Sequence, residues 1–243
     1  MRFADIHNHI LFGVDDGAKT EAEMRLFLDA LYTDGARHIC FTPHYHPGYF
    51  GENRDQVQKA FATARQYTTQ HYPDLVLYLG NELRYEHSFS EWLSRERCQT
   101  LNDTQYLLVD FVSAESADVI MHAMTRILNS GFLPVLAHVE RYRSFYRKKR
   151  ALELLKTWGV VLQVDAQAPL GGFGYETKKR SFKLLDAGLI DVIASDAHTM
   201  FDCKTKLSSC YRALADRYGE HYASALFWNN PLCILKGKEI QSI

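Results

Sequence analysis

Short apolar segments alternate with longer stretches of helical spacing along nearly all of the 243-residue chain. That alternation is the tightest constraint the sequence places on its own fold. "FADIH" reads as a first strand. "TEAEMRLFLDALYTDG" then carries apolar residues at helical spacing, opens on Thr20 with Glu23 in capping-box position, and ends at Gly35. "RHICFTP" is strand-like and "NRDQVQKAFATARQYTTQHY" is a long helix with a polar face. The pattern continues through "LVLYLGNE", "TQYLLVDF", the helix "SADVIMHAMTRILNSG" and "LPVLAHVE". The helix "KKRALELLKTWG", the strand "VVLQVD", the helix "TKKRSFKLLDAG" and the strand "DVIASDAH" follow, before two closing helical stretches. About seven strands, most followed by a helix and with no linker or low-complexity break, predict one α/β domain over residues 1–243. Its sheet is parallel, either closed as a barrel or doubly wound.

The strand ends are where the chemistry collects. His7 and His9 follow the first strand, His44 the second, Glu82 the third, Asp110 the fourth, His138 the fifth, and Asp196 with His198 the seventh. In a barrel of parallel strands the active site is built at the C-terminal ends. Six of seven strands therefore deliver a His, Asp or Glu to one face. Each residue taken alone has a structural explanation: a hydrogen-bonded core histidine, a turn at Asp15-Asp16-Gly17, a helix cap at Asp196. The spacing of His7 and His9 points both to one side of a strand, and the placement of the whole set on one rim predicts a metal site. With Asp16 included there are nine candidate ligands, too many for one ion and enough for two or three. Imidazoles and carboxylates without thiolates suit manganese, iron or zinc, and clustered ions serve phosphate-ester hydrolysis.

Composition removes several alternatives. A formal net charge of -1 is no footprint for nucleic acid or an anionic membrane. No apolar run is long enough to span a bilayer, and "MRFADIHNH" lacks the apolar stretch of a signal peptide. Five cysteines without CxxC spacing read as reduced thiols of a cytoplasmic protein. A thiol phosphatase needs Arg six residues after its nucleophile. Six residues on from Cys40, Cys98, Cys203, Cys210 and Cys233 stand His, Thr, Ser, Asp and Glu, so that mechanism is excluded.

"DIHNH", "TPHYH", "GNE", "AHVERY" and "SDAH", in this order, resemble the PHP (polymerase and histidinol phosphatase) superfamily. Within it, "HILFGVDDGAKT" and "LAHVERY" resemble the bacterial manganese-dependent protein-tyrosine phosphatases of the capsule and exopolysaccharide type, over residues 3 to about 232. The resemblance implies a distorted (β/α)7 barrel of TIM-like form with a trinuclear metal centre. His7, His9, Glu82 and Asp196 would hold the first ion. Glu82 would bridge to a second, held also by Asp110 and His138, and Asp16, His44 and His198 would hold the third. Arg141 matches the arginine that binds the substrate phosphate, and a metal-bound hydroxide would attack phosphorus. The implied substrate is the phosphotyrosine tail of a tyrosine kinase that controls polysaccharide export. The alternative is another phosphoesterase of the superfamily, acting on histidinol phosphate or a small metabolite. Two positions depart from the pattern: Asp110 stands where a Glu is expected, and Cys203, beside Lys204, where an Arg is frequent.

Three further features are read from the residues. "RYRSFYRKKR" at 141–150 is read first as a solvated helix start and second as a basic rim for acidic phosphopeptides. Tyr45, His46, Tyr49 and Phe50 in "HYHPGYFGE" are surface packing or an aromatic wall for a phosphotyrosine ring. Gln163 and Asp165 on the sixth strand are expected to support ligands rather than to be ligands.

Overall fold

In the computed structural model, which describes residues 1–50, 54–200, 202 and 207–240, the apolar segments form a ring of parallel strands. They are β1 (Phe3–Asp5), β2 (Ala36–Phe41), β3 (His44–Tyr45), β4 (Val76–Leu79), β5 (Glu82–Arg84), β6 (Tyr106–Asp110), β7 (Leu133–Leu136), β8 (Val161–Asp165) and β9 (Val192–Ala194). They pair as β1-β2-β4 and as β3-β5-β6-β7-β8-β9. The ring closes between last and first: Asn8 bridges Ala197 in parallel, His9 N donates to Ala197 O at 2.9 Å, and Asp196 N donates to His7 O at 2.8 Å. Among the described residues nine strands occupy seven positions, because β2 runs into β3 and β4 into β5.

Those two interruptions depart from the unbroken strands expected over "RHICFTP" and "LVLYLGNE". Pro43 has no N–H to give to a ladder. At Gly80 a Cβ would lie 2.8 Å from a side-chain carbon of Leu101, so only glycine lets the two segments approach this closely. Hydrogen bonding carries across both breaks, from Gly80 N to Phe41 O at 2.8 Å and from Glu82 N to Thr42 O at 3.3 Å.

Helices cover the outside. Helix α1 (Glu21–Asp34) has the expected capping box at Thr20 and Glu23, and ends on Gly35, whose φ of 118° is left-handed. It is followed by α2 (Arg54–His71), the short α3 (Phe89–Ser94), and α4 (Ala117–Asn129), capped by the Ser116 side chain on Val119 N. Next come α5 (Lys149–Thr157), the single turn α6 (Gln167–Leu170), α7 (Tyr175–Asp186) and α8 (Leu207–Tyr218). Strand residues split between two cores. Leu107, Val109, Leu162 and Val164 pack outward under the helices; Tyr106, Leu108, Val135, Val161 and Val192 fill the ring. Ile234 and Leu235, near the end of the described chain, join this inner core with Leu101 and plug its lower end. Among the described residues no helix is long and apolar enough to cross a membrane.

Candidate metal centre

Period-two alternation delivers the polar side chains to the upper end of the ring. Val161 lies in the inner core and Gln163 and Asp165 follow on its face; Val192 and Ala194 lead to Asp196; Tyr106 and Leu108 lead to Asp110. His138 and Asp196 have φ of 36° and 49°. Left-handed backbone at a non-glycine residue is strained and concentrates at functional sites.

Three groups of donors converge there, each able to hold a metal ion: His7, His9 and Glu82; Glu82, Asp110 and His138; His9, Asp16, His44 and His198. In the first, His7 Nε2 and His9 Nε2 are 3.2 Å apart. His7 Nε2 is 3.3 Å from Glu82 Oε1 and 3.2 Å from Asp196 Oδ1, while His9 Nε2 is 3.3 Å from Glu82 Oε2 and 3.5 Å from Asp196 Oδ1. In the second, His138 Nε2 meets Glu82 Oε1 at 2.9 Å, and Asp110 Oδ1 is buried without a hydrogen-bond partner among the described residues. The third is nearer solvent, with Asp16 Oδ1 3.5 Å from His44 Nε2 and 3.6 Å from His198 Nε2. All nine residues singled out in the sequence therefore reach one place, and Glu82 and His9 each belong to two groups.

The surrounding hydrogen bonds turn the imidazole lone pairs inward. Gln163 Oε1 accepts the backbone N–H of His138 at 3.0 Å, so it is an acceptor toward His7 Nδ1, also at 3.0 Å. In its neutral form His7 therefore carries its proton on Nδ1 and turns Nε2 into the site. Asp15 does the same for His9, accepting from Nδ1 at 2.7 Å while its carboxylate also takes Gly17 N and His44 N at 3.0 Å. Asp15, read from sequence only as part of a turn, makes the turn and orients a histidine. Gln163 Nε2 donates to Asp165 Oδ1 at 2.9 Å.

Electrostatics show what the donor set lacks. Burial opposes ionisation of Glu82 and Asp196, yet His7 in both cases, with His44 beside Glu82, holds their carboxyls well below the usual range. Asp110 goes the other way: burial, then the neighbouring Glu82 charge, push it up to about 6. Two neighbouring buried carboxylates, one of them with an oxygen that has no hydrogen-bond partner among the described residues, beside imidazole nitrogens turned into the site, fit divalent cations.

A cavity of about 440 Å³ opens over these donors, lined also by Arg84, Phe111, Val112, Ser113, Arg141 and Tyr142. Arg141 Nη2 lies 2.5 Å from Asp165 Oδ2 and 2.6 Å from Asp196 Oδ2, and its guanidinium carbon sits 4.7 Å from the ring centroid of Phe173. Arg84 Nη2 lies 2.8 Å from Asp110 Oδ2. Neither Arg84 nor Phe173 was singled out in the sequence. A separate cavity of about 270 Å³ between Tyr142, Phe145, Leu152 and Leu184 contains none of the converging donors.

The "HYHPGYFGE" aromatics divide. Tyr45 is buried against Trp92 at a centroid distance of 5.3 Å and belongs to the core. Phe50 stacks near the His44 ring at 5.7 Å, and exposed Tyr49 stacks on His46 at 4.6 Å. The basic stretch forms a short 3-10 turn (Arg143–Arg147) and the start of α5. Cys40, Cys98 and Cys210 are buried, and burial pushes their thiols up, that of Cys98 to about 12. Cys203 and Lys204 lie outside the described residues.

Comparison with known proteins supplies the rest. The family described as capsular polysaccharide synthesis, CpsB/CapC, matches residues 3–236. The tyrosine-protein phosphatase CpsB of Streptococcus pneumoniae is 32% identical over 236 residues, 95% of this chain and 97% of that protein. The tyrosine-protein phosphatase YwqE of Bacillus subtilis is 30% identical, over 81% of this chain and 77% of its own. A crystal structure from work on YwqE and S. pneumoniae CpsB, described as unique metal-dependent tyrosine phosphatases, superposes with a TM-score of 0.89 at 28% identity, covering 99% of this chain and 97% of that one. A histidinol phosphate phosphatase from Lactococcus lactis shares the fold with a TM-score of 0.57 at 14% identity, over 90% and 94% of the two chains.

Proposed function

We propose a function from one premise: the chain belongs to the CpsB/CapC family of capsular polysaccharide synthesis. It is a metal-dependent protein-tyrosine phosphatase. Its substrate is a phosphotyrosine protein, the tail of a tyrosine kinase that governs capsule or exopolysaccharide export. The observation that carries this reading is the convergence of three donor groups and a guanidinium on one cavity.

His7, His9, Glu82 and Asp196 would hold one ion, Glu82, Asp110 and His138 a second, and Asp16, His44 and His198 a third. The preferred metal is manganese. Bound ions lower the pKa of water and offset charge on phosphoryl oxygens. The chain's own contribution is positioning. Gln163 and Asp15 fix the tautomers of His7 and His9, and Arg141 meets the phosphoryl group with charge-assisted hydrogen bonds. Tyrosine leaves as a phenolate with a pKa of about 10, so no strong general acid is required.

The test is a side-by-side rate measurement on a phosphotyrosine peptide and on histidinol phosphate, with metals varied. Phosphotyrosine is expected to be the better substrate. EDTA should abolish turnover, and alkylating the cysteines should leave it largely intact. A preference for histidinol phosphate would move the enzyme to the other phosphoesterase reading.

A further inference from the structure

Arg84 faces the same cavity as Arg141 from another part of the rim. It stands two residues after Glu82 on β5, so it leaves the strand on the same face. On the neighbouring strand its register partner is Asp110. The pair is made through one nitrogen, Nη2 to Oδ2 at 2.8 Å, and among the described residues the buried Arg84 Nε has no hydrogen-bond partner. The other oxygen of Asp110, Oδ1, has no hydrogen-bond partner among the described residues. Among the described residues the guanidinium is thus tethered by a single contact, with its side chain 27% exposed at the cavity.

A phosphoryl group presents three non-bridging oxygens, more acceptors than one guanidinium fork can satisfy. We propose that Arg84 is a second phosphate-binding residue, gripping the phosphoryl oxygens together with Arg141 while its contact to Oδ2 leaves Asp110 Oδ1 for an ion. This rests on the phosphoesterase reading above. The competing role, merely orienting Asp110, uses the same salt bridge but makes a different prediction.

The experiment titrates inorganic phosphate into the metal-loaded protein by calorimetry, with metal content per chain measured on the same samples. Arg84→Gln should weaken phosphate binding on the order of tenfold to a hundredfold, as expected for losing hydrogen bonds to a charged group. Arg84→Lys keeps a cation beside Asp110 and should retain the wild-type metal content, yet bind phosphate several-fold more weakly, because an ammonium cannot present the fork. Phosphate affinity within twofold of wild type in both variants would overturn the proposal. So would a loss confined to metal content. If wild type itself binds no phosphate, the phosphoesterase reading fails instead, and the two failures are distinguishable.

Discussion

Arg141 sits between two buried carboxylates, and this decides how its removal must be read. Asp165 Oδ2 is buried with Arg141 Nη2 as its ion-pair partner at 2.5 Å. If Arg141 has the proposed role, Arg141→Ala does two things: it removes a phosphate contact and it strands a carboxylate, which costs about 1–3 kcal/mol or more. We expect kcat/KM on a phosphotyrosine peptide to fall on the order of 10²–10³-fold, roughly 3–4 kcal/mol of transition-state stabilisation. Adding Asp165→Asn should recover the melting temperature without recovering turnover. Arg141→Lys should recover only part of the rate. If the double variant instead regains activity along with stability, Arg141 is a structural cation and leaves the phosphate site. At this scale the sequence was legible in residue type and position, because a strand end announces a donor. It was not legible in partnership. Asp15 and Asp16 are adjacent and chemically alike, and only the loop's path sends one to His9 Nδ1 and the other toward His44 and His198. Phe173 lies under the Arg141 guanidinium from a "GGFG" turn that carries no chemical signal of its own.

The first loop, between β1 and α1, carries His7, His9 and Asp16 to the site. Ala18 N returns to His9 O at 3.0 Å, and Asp15 is folded back onto His9. Gly17 makes this possible: a Cβ there would stand 1.7 Å from His9 O and 2.7 Å from His9 Cβ. Both obstacles belong to a residue fixed on the barrel, so the loop must move. Gly17→Ala is expected to destabilise by roughly 1–3 kcal/mol, the usual cost of overpacking, and to displace Asp15 and Asp16 together. Elemental analysis of the purified variant should find less metal than in wild type, with the fold retained by circular dichroism. Full metal content would show that the loop adapts without disturbing the histidines. Elements were read well from sequence where capping and periodicity agreed, as at Thr20, Glu23 and Gly35. The breaks at Pro43 and Gly80 were not anticipated, since continuity of apolar residues masks a kink whose cause, the approach of Leu101, lies elsewhere in the chain.

For the whole molecule, the seam that closes the ring runs through the candidate metal centre. Asp196 N bonds His7 O, His9 N bonds Ala197 O, and Ser195 Oγ donates to Asp5 Oδ2 at 2.6 Å. Ions shared by His7, His9, Asp196 and His198 would clip the first strand to the last across nearly the entire chain, and such long-range clips restrict the unfolded state most. At a hundredfold excess over Kd, an ion stabilises by about 2.7 kcal/mol, a melting shift of roughly 5–10 °C for a chain this size. The shift should depend on pH with a definite sign. Burial disfavours the charged form of His7, but Glu82 and Asp196 outweigh it and raise the pKa to about 9; His9 is raised by Asp15 in the same way. A raised histidine stabilises the metal-free fold fully below its unfolded pKa of about 6.5 and loses that contribution as pH climbs through about 9. Metal binding needs neutral imidazoles and releases those protons, so it strengthens over the same window. The melting temperature of EDTA-treated protein should therefore fall from pH 6.5 to 9 relative to the manganese-loaded form, and the gap between the two should widen. A gap that stays constant or narrows would mean that the ions do not replace the protons on His7 and His9, and that the clip across the seam is absent.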